Sequence, residues 1–415
     1  MADRVDRPAA DAEARTRWLS APVVGIGSAS FFSDLGHEVP TALLPSFLST
    51  TLGAPAAALG LIEGIADGAA GAAKLVGGGL ADDPSRRRAV AVGGYATTAV
   101  LSSAIGFATA AWQVAVLRTG AWAARGMRGP SRNALLADAV RSEAYGRAYG
   151  FERAMDNLGA ILGPVLALGL VALTSVRTAI VLSVIPGLLA AAAIAYAASR
   201  IVERRREHRP FAIRVRPVLR GRLGRILAGV GAFELGNLAA TLLILRATEL
   251  LEPSRGQDAA TTIAIGIYIA YNAAATLASV PAGRLADGLG PVRTMALGVG
   301  VFLVAYVALA VTGPSIALLS AGSILAGVGI GAVETAEHAV VAREAPEGIR
   351  GSAVGVLAAM QSGGNLVASA GAGIVWTVLG PGWAFGAAAA FMGVSLVLLA
   401  GPVLGETARP IAERE

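Results

Sequence analysis

Long apolar stretches alternate with short polar connections along most of this chain. The apolar stretches run to about twenty residues or more, the length an α-helix needs to cross the roughly 30 Å hydrocarbon core of a bilayer. A β-barrel would show shorter segments of alternating polarity. The pattern predicts an all-α membrane protein with twelve transmembrane helices, at 21–49, 56–80, 89–110, 112–138, 148–173, 178–199, 224–250, 259–282, 293–312, 315–341, 351–376 and 382–404.

One long polar connection divides the chain into two similar halves. The arginine-rich linker covers 200–223, and "GLAD" at Gly79–Asp82 recurs as "RLAD" at Arg284–Asp287. Such duplication predicts two pseudo-symmetric six-helix bundles with a site between them near mid-membrane. The expected divisions are a tail at 1–20, bundles at 21–199 and 224–404 around the linker, and a second tail at 405–415.

Composition and charge distribution support a membrane location. Hydrophobic residues make up 55% of the chain and charged residues 15%, where soluble domains average about a quarter charged. The net charge of +6 comes from arginines in alternate connections, which is the positive-inside pattern. This predicts cytoplasmic termini in a bacterial inner membrane, contact with the lipid bilayer and no nucleic-acid partner. Cysteine is absent, which excludes disulfides and cysteine-ligated metals.

The connection after the second predicted helix resembles a signature of the major facilitator superfamily, G-x-L-A-D-R-x-G-R-R. The matching residues are Gly78, Asp82, Arg86 and Arg87, with a second copy at Gly283, Asp287 and Arg293; Asp83 and Ser85 depart from the pattern. The resemblance covers the whole chain. It implies the major facilitator fold, with the aspartate latching one conformation by pairing with arginines and helix ends.

A second pattern lies in the fifth predicted helix. Gly150, Gly159, Gly163 and Pro164 resemble the G-x8-G-x3-G-P pattern of antiporters in this superfamily, chiefly drug exporters. "IEGIAD" in the second helix and "RGMRGPSRNALLAD" after the fourth resemble bacterial exporters related to fosmidomycin-resistance proteins. The resemblance therefore implies antiport, and it implies a gating role for Gly159, Gly163 and Pro164.

The second helix carries three ionisable residues, Glu63, Asp67 and Lys74, on one side. Each charge costs about 2.5–3.5 kcal/mol at the centre of a membrane helix, so this side is expected to face the protein interior. Lys74 is the only lysine, and a buried lysine can lose its proton whereas arginine cannot. The three residues are candidates for proton coupling. A static ion pair to the fourth or eleventh helix is the alternative.

The first and fourth helices carry further candidates. Asp34, His37 and Glu38 precede Pro40, and histidine titrates near neutral pH. Asp34 is the candidate to carry a proton; a polar kink is the alternative. Arginine binds carboxylate, phosphate or phosphonate in a fork, so the arginines of the fourth helix are predicted to form an anion path. Its functional members are Arg118 and Arg125, while Arg128 and Arg132 could be positive-inside charge.

The second half offers a smaller set. Its candidate cavity residues are Glu234, Asn237, Glu334, His338, Gln361 and Asn365, with Glu337 as a proton-coupling candidate. Carboxylate and imidazole could together bind a divalent metal, but Asp34 and His37 lie in the other half, so no metal is predicted. The chain lacks a G-x-x-x-x-G-K-[ST] motif for ATP, and no cofactor is expected.

These features predict a secondary transporter rather than an enzyme. The expected activity is proton-coupled antiport that exports a small organic compound, such as an anion or a drug, by alternating access. A proton symporter importing an organic anion or metal chelate, and a non-transporting membrane sensor or scaffold, are the alternatives. The expected partners are a small-molecule substrate and protons, and the protein is expected to be a monomer.

Overall fold

The computed structural model describes residues 18–54, 56–201 and 210–407, and these ranges contain no β-strand. The predicted tails at 1–20 and 405–415 and the linker at 200–223 lie partly outside them. Within the described ranges the chain forms two compact units. One unit contains residues up to Arg214 together with Pro346–Gly355, and the other contains Val215–Ala345 with the residues from Val356 onwards.

The described part of the chain before Arg214 contains seven α-helices. They are α1 (Ala21–Ser46), α2 (Ala56–Ala81), α3 (Pro84–Ala104), α4 (Ala111–Ala139), α5 (Tyr145–Leu173), α6 (Val176–Leu182) and α7 (Val184–Arg200).

Eight helices follow in the rest of the described chain. They are α8 (Val215–Val218), α9 (Gly221–Gly236), α10 (Ala240–Arg255), α11 (Gln257–Leu289), α12 (Pro291–Val311), α13 (Ile316–Glu344), α14 (Arg350–Leu379) and α15 (Pro381–Thr407). The start of α14, through Gly355, groups with the first unit.

The two units repeat the same order of helix packing. In the first unit α2 and α3 both pack against α4, and α1 and α3 both pack against α7. In the second unit α11 and α12 both pack against α13, and α9 and α12 both pack against α15. The recurrence agrees with the duplicated sequence, because related sequences bury equivalent helix faces.

Eight helices in the described residues are long and apolar enough to cross a membrane. The four predicted spans outside that group are the first, second, fourth and seventh, which carry Asp34, Glu63, Arg118 and Glu234 among their polar groups. Helices nevertheless occupy all four of these segments. The count of twelve spans stays a prediction.

Two predicted spans are not continuous helices. The sixth divides at Ser183 into α6 and α7, and the seventh is interrupted between Gly236 and Ala240. Hydropathy does not register such breaks, since one to three residues leave the apolar composition of a span unchanged.

The departures from the signature after α2 have a local explanation. Asp83 is the N-cap of α3, and its Oδ1 accepts hydrogen bonds from the Ser85 backbone N–H at 3.0 Å and the Ser85 hydroxyl at 2.6 Å. Pro84 stands at the first helical position, where its missing N–H costs nothing. The two residues that depart from the signature therefore form the N-terminal cap of α3.

Candidate functional site

A buried polar turn in α1 forms one side of the candidate site. Asp34 and His37 are 4% and 3% exposed. Pro40 has no N–H to continue the helical hydrogen bonding, and the Thr41 hydroxyl donates to the His37 carbonyl at 2.8 Å. The sequence of α1 therefore presents an imidazole and two carboxylates within one turn next to a proline.

Arg125 on α4 binds this turn. Its Nη2 lies 3.1 Å from Asp34 Oδ1, and its Nη1 lies 2.6 Å from His37 Nε2. The Arg125 side chain is still 33% exposed. The predicted anion-binding arginine is therefore paired with α1 while part of its guanidinium stays accessible.

The two nitrogens of the His37 ring have different surroundings. Nδ1 lies 3.0 Å from the Ser33 carbonyl and 3.3 Å from Asp34 Oδ1. Both neighbours are acceptors, so Nδ1 carries a hydrogen. Nε2 lies between an Arg125 N–H and Glu38 Oε1, the latter at 3.2 Å. When Nε2 carries no proton, it accepts a hydrogen bond from Arg125. When it carries a proton, it donates a hydrogen bond to Glu38, so the protonation of Nε2 selects its partner.

Arg118, about two turns before Arg125 on α4, forms a second ion pair. Its Nη2 lies 3.0 and 3.2 Å from the two carboxylate oxygens of Glu63 on α2, and its Nη1 donates to Thr41 Oγ1 at 3.1 Å. Arg118 is 1% exposed. This is the ion pair to the fourth helix that the sequence left as an alternative, and it connects α1, α2 and α4.

Trp122 lies between the two arginines and was not among the predicted site residues. The Arg118 guanidinium stacks 3.3 Å from the centre of its indole, and the His37 ring meets it edge-on at 5.5 Å. Its Nε1–H donates to Asp67 Oδ1 at 3.0 Å. The spacing of Trp122, four residues after Arg118 and three before Arg125, could have revealed it, because such residues share a helix face.

Arg128 and Arg132, the two arginines that could be positive-inside charge, both contact other helices of the first unit. The Arg128 Nη2 donates to Ser33 Oγ at 2.5 Å, and its guanidinium stacks 3.7 Å over the Tyr95 ring. Arg132 Nη1 lies 2.8 Å from Glu152 Oε1 on α5. Because both arginines follow Arg125 on the same helix face, they extend the polar interior toward the end of α4.

The glycines of the fifth-helix pattern lie against the carboxylate residues of α1. A Cβ atom at Gly159 would come within 3.1 Å of the Asp34 Cβ, and one at Gly163 within 3.2 Å of the Glu38 Cγ. Any larger side chain would displace α1. The pattern thus provides close contact between α1 and α5 at the candidate site.

Asp82 caps the N-terminus of α14. Its carboxylate accepts from the Ser352 N–H at 2.9 Å and from the Ser352 hydroxyl. Burial raises the pKa of the Asp82 carboxyl, while the Ser352 hydrogen bonds act to lower it. The carboxylate therefore meets a helix N-terminus, which is a favourable partner for an anion, and the charges of Arg214 and Arg87 also act on it.

The neighbouring arginines of the signature bind other groups. Arg87 donates to the Ala81 carbonyl at 2.7 Å and pairs with Asp138 at 2.5 Å. Arg350 lies 3.9 Å from the same Asp138 carboxylate, and Arg86 pairs with Asp83 at 3.1 Å. These contacts join α2, α3 and α4 to the start of α14.

Close backbone contact supports the same junction. A Cβ at Gly78 would lie 2.8 Å from the Gly351 carbonyl oxygen, and one at Gly355 would lie 2.7 Å from the Lys74 carbonyl oxygen. Lys74 is half-buried and lies at this junction, whereas Glu63 and Asp67 contact α4. The side chains of Glu63 and Asp67 therefore bind α4, while the backbone carbonyl of Lys74 lies against the start of α14.

The second unit has its own polar residues. Gln361 on α14 donates to Glu337 Oε2 at 2.8 Å, and His338 Nδ1 lies 2.8 Å from the Glu334 carbonyl. Asn365 donates to the Asn237 carbonyl at 3.3 Å. In the signature copy of this unit Gly283 is buried, and Asp287 and Arg293 are half-buried at the connection of α11 and α12.

No group of three or more His, Cys, Asp or Glu side chains within the described ranges could hold a metal ion. The two histidines considered for a shared metal lie in different units.

Comparison with known proteins identifies the family. The model of the Major Facilitator Superfamily matches residues 26–249 and 226–415. The chain belongs to the Major Facilitator Superfamily. An uncharacterised protein of Mycobacterium tuberculosis is 29% identical to this transporter over 381 residues, which cover 90% of each chain.

Solved structures share the fold of this transporter. A bacterial homologue of the iron transporter ferroportin, in an outward-facing state, has a TM-score of 0.75 at 15% identity and covers 94% of this chain and 100% of its own. The human organic anion transporter MFSD10 has a TM-score of 0.70 at 16% identity, and the match covers 91% of this chain and 99% of MFSD10. The chain is therefore a multi-pass membrane transporter of the major facilitator fold and not an enzyme.

Proposed function

We propose that the chain is a proton-coupled secondary transporter of a small organic anion, working by alternating access in a bacterial inner membrane with its termini in the cytoplasm. The observation that carries the proposal is the position of His37 Nε2 between Arg125 and Glu38. The proton site and the anion site then share the guanidinium of Arg125.

Proton binding changes the charge that Arg125 meets. Without a proton on Nε2, the imidazole accepts one Arg125 N–H and the Asp34 carboxylate binds another. With a proton, the imidazolium repels Arg125 and is attracted to Glu38 at 3.2 Å. The Arg125 N–H group that contacted the imidazole is released, and this group can bind a carboxylate, phosphate or phosphonate.

Arg118 supplies a second point of anion recognition. Its guanidinium is held flat by Trp122 and by both oxygens of Glu63. An incoming anion competes with Glu63, whose side chain is 32% exposed. Proton transfer to Glu63 would weaken this ion pair and strengthen anion binding. The organic-anion specificity named for the structural neighbour MFSD10 is consistent with this chemistry.

Both steps favour movement of the anion and the proton in the same direction. Each proton removes a competitor for an arginine, so the two ligands bind cooperatively and shift the same conformational equilibrium. This geometry favours the symport alternative. The antiport expectation remains a second candidate, because Gly159 and Gly163, which belong to the pattern that resembles the family's antiporters, contact Asp34 and Glu38.

The direction in which protons cross the membrane distinguishes symport from antiport. Full-length protein is reconstituted into vesicles that contain a pH-sensitive dye, with the membrane potential clamped. A panel of small carboxylates and phosphonates is then added outside. Symport acidifies the lumen as the anion enters, whereas antiport makes it alkaline.

Two variants complete this experiment. His37→Gln removes the titrating ring, and anion uptake is expected to lose its response to a pH gradient. Glu252→Gln, at an exposed position of α10, serves as the matched control and should behave like the unmodified protein. Anion uptake that ignores an imposed pH gradient in the unmodified protein would refute the proposed coupling.

A further inference from the structure

A small buried cavity lies inside the first unit, between α1, α3, α4 and the connection of α6 and α7. Its described lining is mostly polar and includes His37, Arg128 and the hydroxyl residues Thr98, Ser102 and Ser183. The centre of a water-sized sphere can occupy about 10 Å³ of this cavity, which is room for one water molecule.

The cavity persists although the helices around it are in close contact. A Cβ at Gly36 would lie 3.1 Å from the Gly187 nitrogen and 3.2 Å from the Ser183 carbonyl oxygen, and one at Gly187 would lie 2.5 Å from the Ala99 Cβ. Protein interiors keep few voids as large as a water molecule. Dry cavities are lined by apolar groups, whereas polar cavities hold water. The polar lining therefore indicates a cavity with an occupant.

Ser102 supplies the second observation. Its hydroxyl oxygen has no hydrogen-bond partner among the described residues, although the residue is only 2% exposed. Burial of a hydroxyl without a hydrogen bond is unfavourable, and most buried side-chain polar atoms have a partner in the protein or in ordered water. The Ser102 hydroxyl has one hydrogen to donate and two lone pairs to accept, so a water molecule in the cavity satisfies it.

Two further hydroxyls can bind the same water molecule. Thr98 Oγ1 donates to the Gly94 carbonyl at 2.8 Å, and Ser183 Oγ donates to the Ile180 carbonyl at 2.7 Å. Each hydroxyl has used its only hydrogen, but its oxygen keeps lone pairs that accept. Water that accepts from Ser102 and donates to Thr98 and Ser183 makes three hydrogen bonds, the usual number for buried water.

We propose that this cavity binds one water molecule, held by the hydroxyls of Ser102, Thr98 and Ser183. Charge and size select water among small ligands. The positive charge of Arg128 in the lining opposes a sodium or ammonium ion of similar size, and a space for one water molecule is too small for a carboxylate or phosphonate.

The bound water connects α3 to the point at which the sixth predicted span divides, since Ser183 lies between α6 and α7. His37 belongs to the same lining, so the water also lies against the ring to which the proposed function assigns the proton. The site itself does not depend on that function, because the cavity and the Ser102 hydroxyl require a partner in either case.

Radiolytic labelling of the purified full-length protein tests for the water. A short X-ray pulse splits water molecules where they are bound, so a buried aromatic side chain gains oxygen only if water lies next to it. Tyr95 lines the cavity and is 1% exposed, and it is expected to be labelled. Phe302 is equally buried but packs against Phe233 and Tyr306, and it should stay unlabelled. Mass spectrometry measures both, each relative to the unfolded protein, and an unlabelled Tyr95 would overturn the proposal.

A pair of variants locates the water. Ser102→Val fills the cavity with methyl groups and is expected to lower the labelling of Tyr95 severalfold. Ser103→Val is the matched control, because the Ser103 hydroxyl donates to the Val100 carbonyl of its own helix at 3.0 Å, and this variant should retain the labelling. Equal labelling of Tyr95 in the two variants rejects Ser102 as a ligand of the water.

The melting temperature of Ser102→Ala decides the question if Ser102→Val does not fold. In a dry cavity the change removes a hydroxyl without a partner and should raise the melting temperature. In a cavity that holds water it removes a hydrogen bond, and we expect the melting temperature to fall. Ser103→Ala makes the same change in helix propensity and serves as the reference. A higher melting temperature for Ser102→Ala than for Ser103→Ala contradicts the proposal.

These measurements do not use transport. Labelling of Tyr95 in a protein whose uptake ignores a pH gradient would retain the water site and reject the function proposed above. Proton-coupled uptake by a protein in which Tyr95 stays unlabelled would retain the function and reject the water site.

Discussion

The guanidinium carbon of Arg118 lies 3.3 Å from the centre of the Trp122 indole. The same indole donates its N–H to Asp67 at 3.0 Å. One aromatic residue therefore orients a buried arginine of α4 and connects it to a carboxylate of α2. The sequence predicted the arginine and the carboxylate but not the residue between them.

Replacing Trp122 should disturb both contacts. Trp122→Leu removes the stacking surface and the N–H donor, and should lower the free energy of unfolding by about 2 kcal/mol, since a cation–π contact and a hydrogen bond are each worth about 1 kcal/mol. Anion affinity should fall with it. Trp112→Leu, on the same helix but 66% exposed, is the control. Equal melting temperatures for the two variants would contradict the assigned role.

The Glu63–Arg118 pair should show coupling. Glu63→Gln leaves a buried guanidinium, and we expect a loss of about 1–3 kcal/mol in the free energy of unfolding. This is below the 3–5 kcal/mol of fully buried pairs, because Glu63 is one-third exposed. Arg118→Met combined with Glu63→Gln should cost less than the sum of the single changes. Additive losses in a double-mutant cycle would show that the pair does not interact.

The α1–α5 contact predicts opposite effects for two glycines of one helix. Gly163→Ala places a methyl group in overlap with the Glu38 Cβ and 3.3 Å from the Leu35 carbonyl oxygen, so it should destabilise by about 1–3 kcal/mol. Gly169→Ala meets no atom within 4 Å and should stabilise by roughly 0.5–1 kcal/mol through helix propensity. Melting temperatures measure both. A stabilising Gly163→Ala would rule out the tight contact.

The Asp82 cap should protect the start of α14. Asp82→Ala removes both hydrogen bonds to Ser352 and should cost about 2 kcal/mol. Cleavage by trypsin after Arg350, which is 9% exposed, should become faster. Arg88→Ala, at an exposed position in the first turns of α3, is the control. Unchanged cleavage in Asp82→Ala would mean that the cap does not hold this helix.

The Asp82 carboxyl should also contribute a pH dependence. Its pKa is raised in the folded state, so the folded state binds more protons than the unfolded chain above the ordinary value of about 3.9. The free energy of unfolding should therefore decline as the pH rises from about 4 to the raised pKa. Asp82→Asn should remove this component in a series of urea titrations. If the free energy of unfolding of Asp82→Asn still declines over this pH range, another group causes the decline.

The sequence by itself determined the class of protein, the family and nearly all helix positions. Apolar length decides which segments can cross a bilayer, and the Gly78–Asp82 signature repeats at a fixed place in each half. The chemical types of the candidate residues were also available, since ionisable groups on membrane helices are too costly to lie at random.

Tertiary structure decided which of these residues meet. Glu63 and Asp67 contact α4, and Asp82 caps a helix that begins at Arg350, because packing brings together residues far apart in the chain. The interruption before Ala240 also escaped the sequence, since a local break depends on what a neighbouring helix offers to the freed backbone. Residue type fixes what each group can do, and only the packed helices fix its partner.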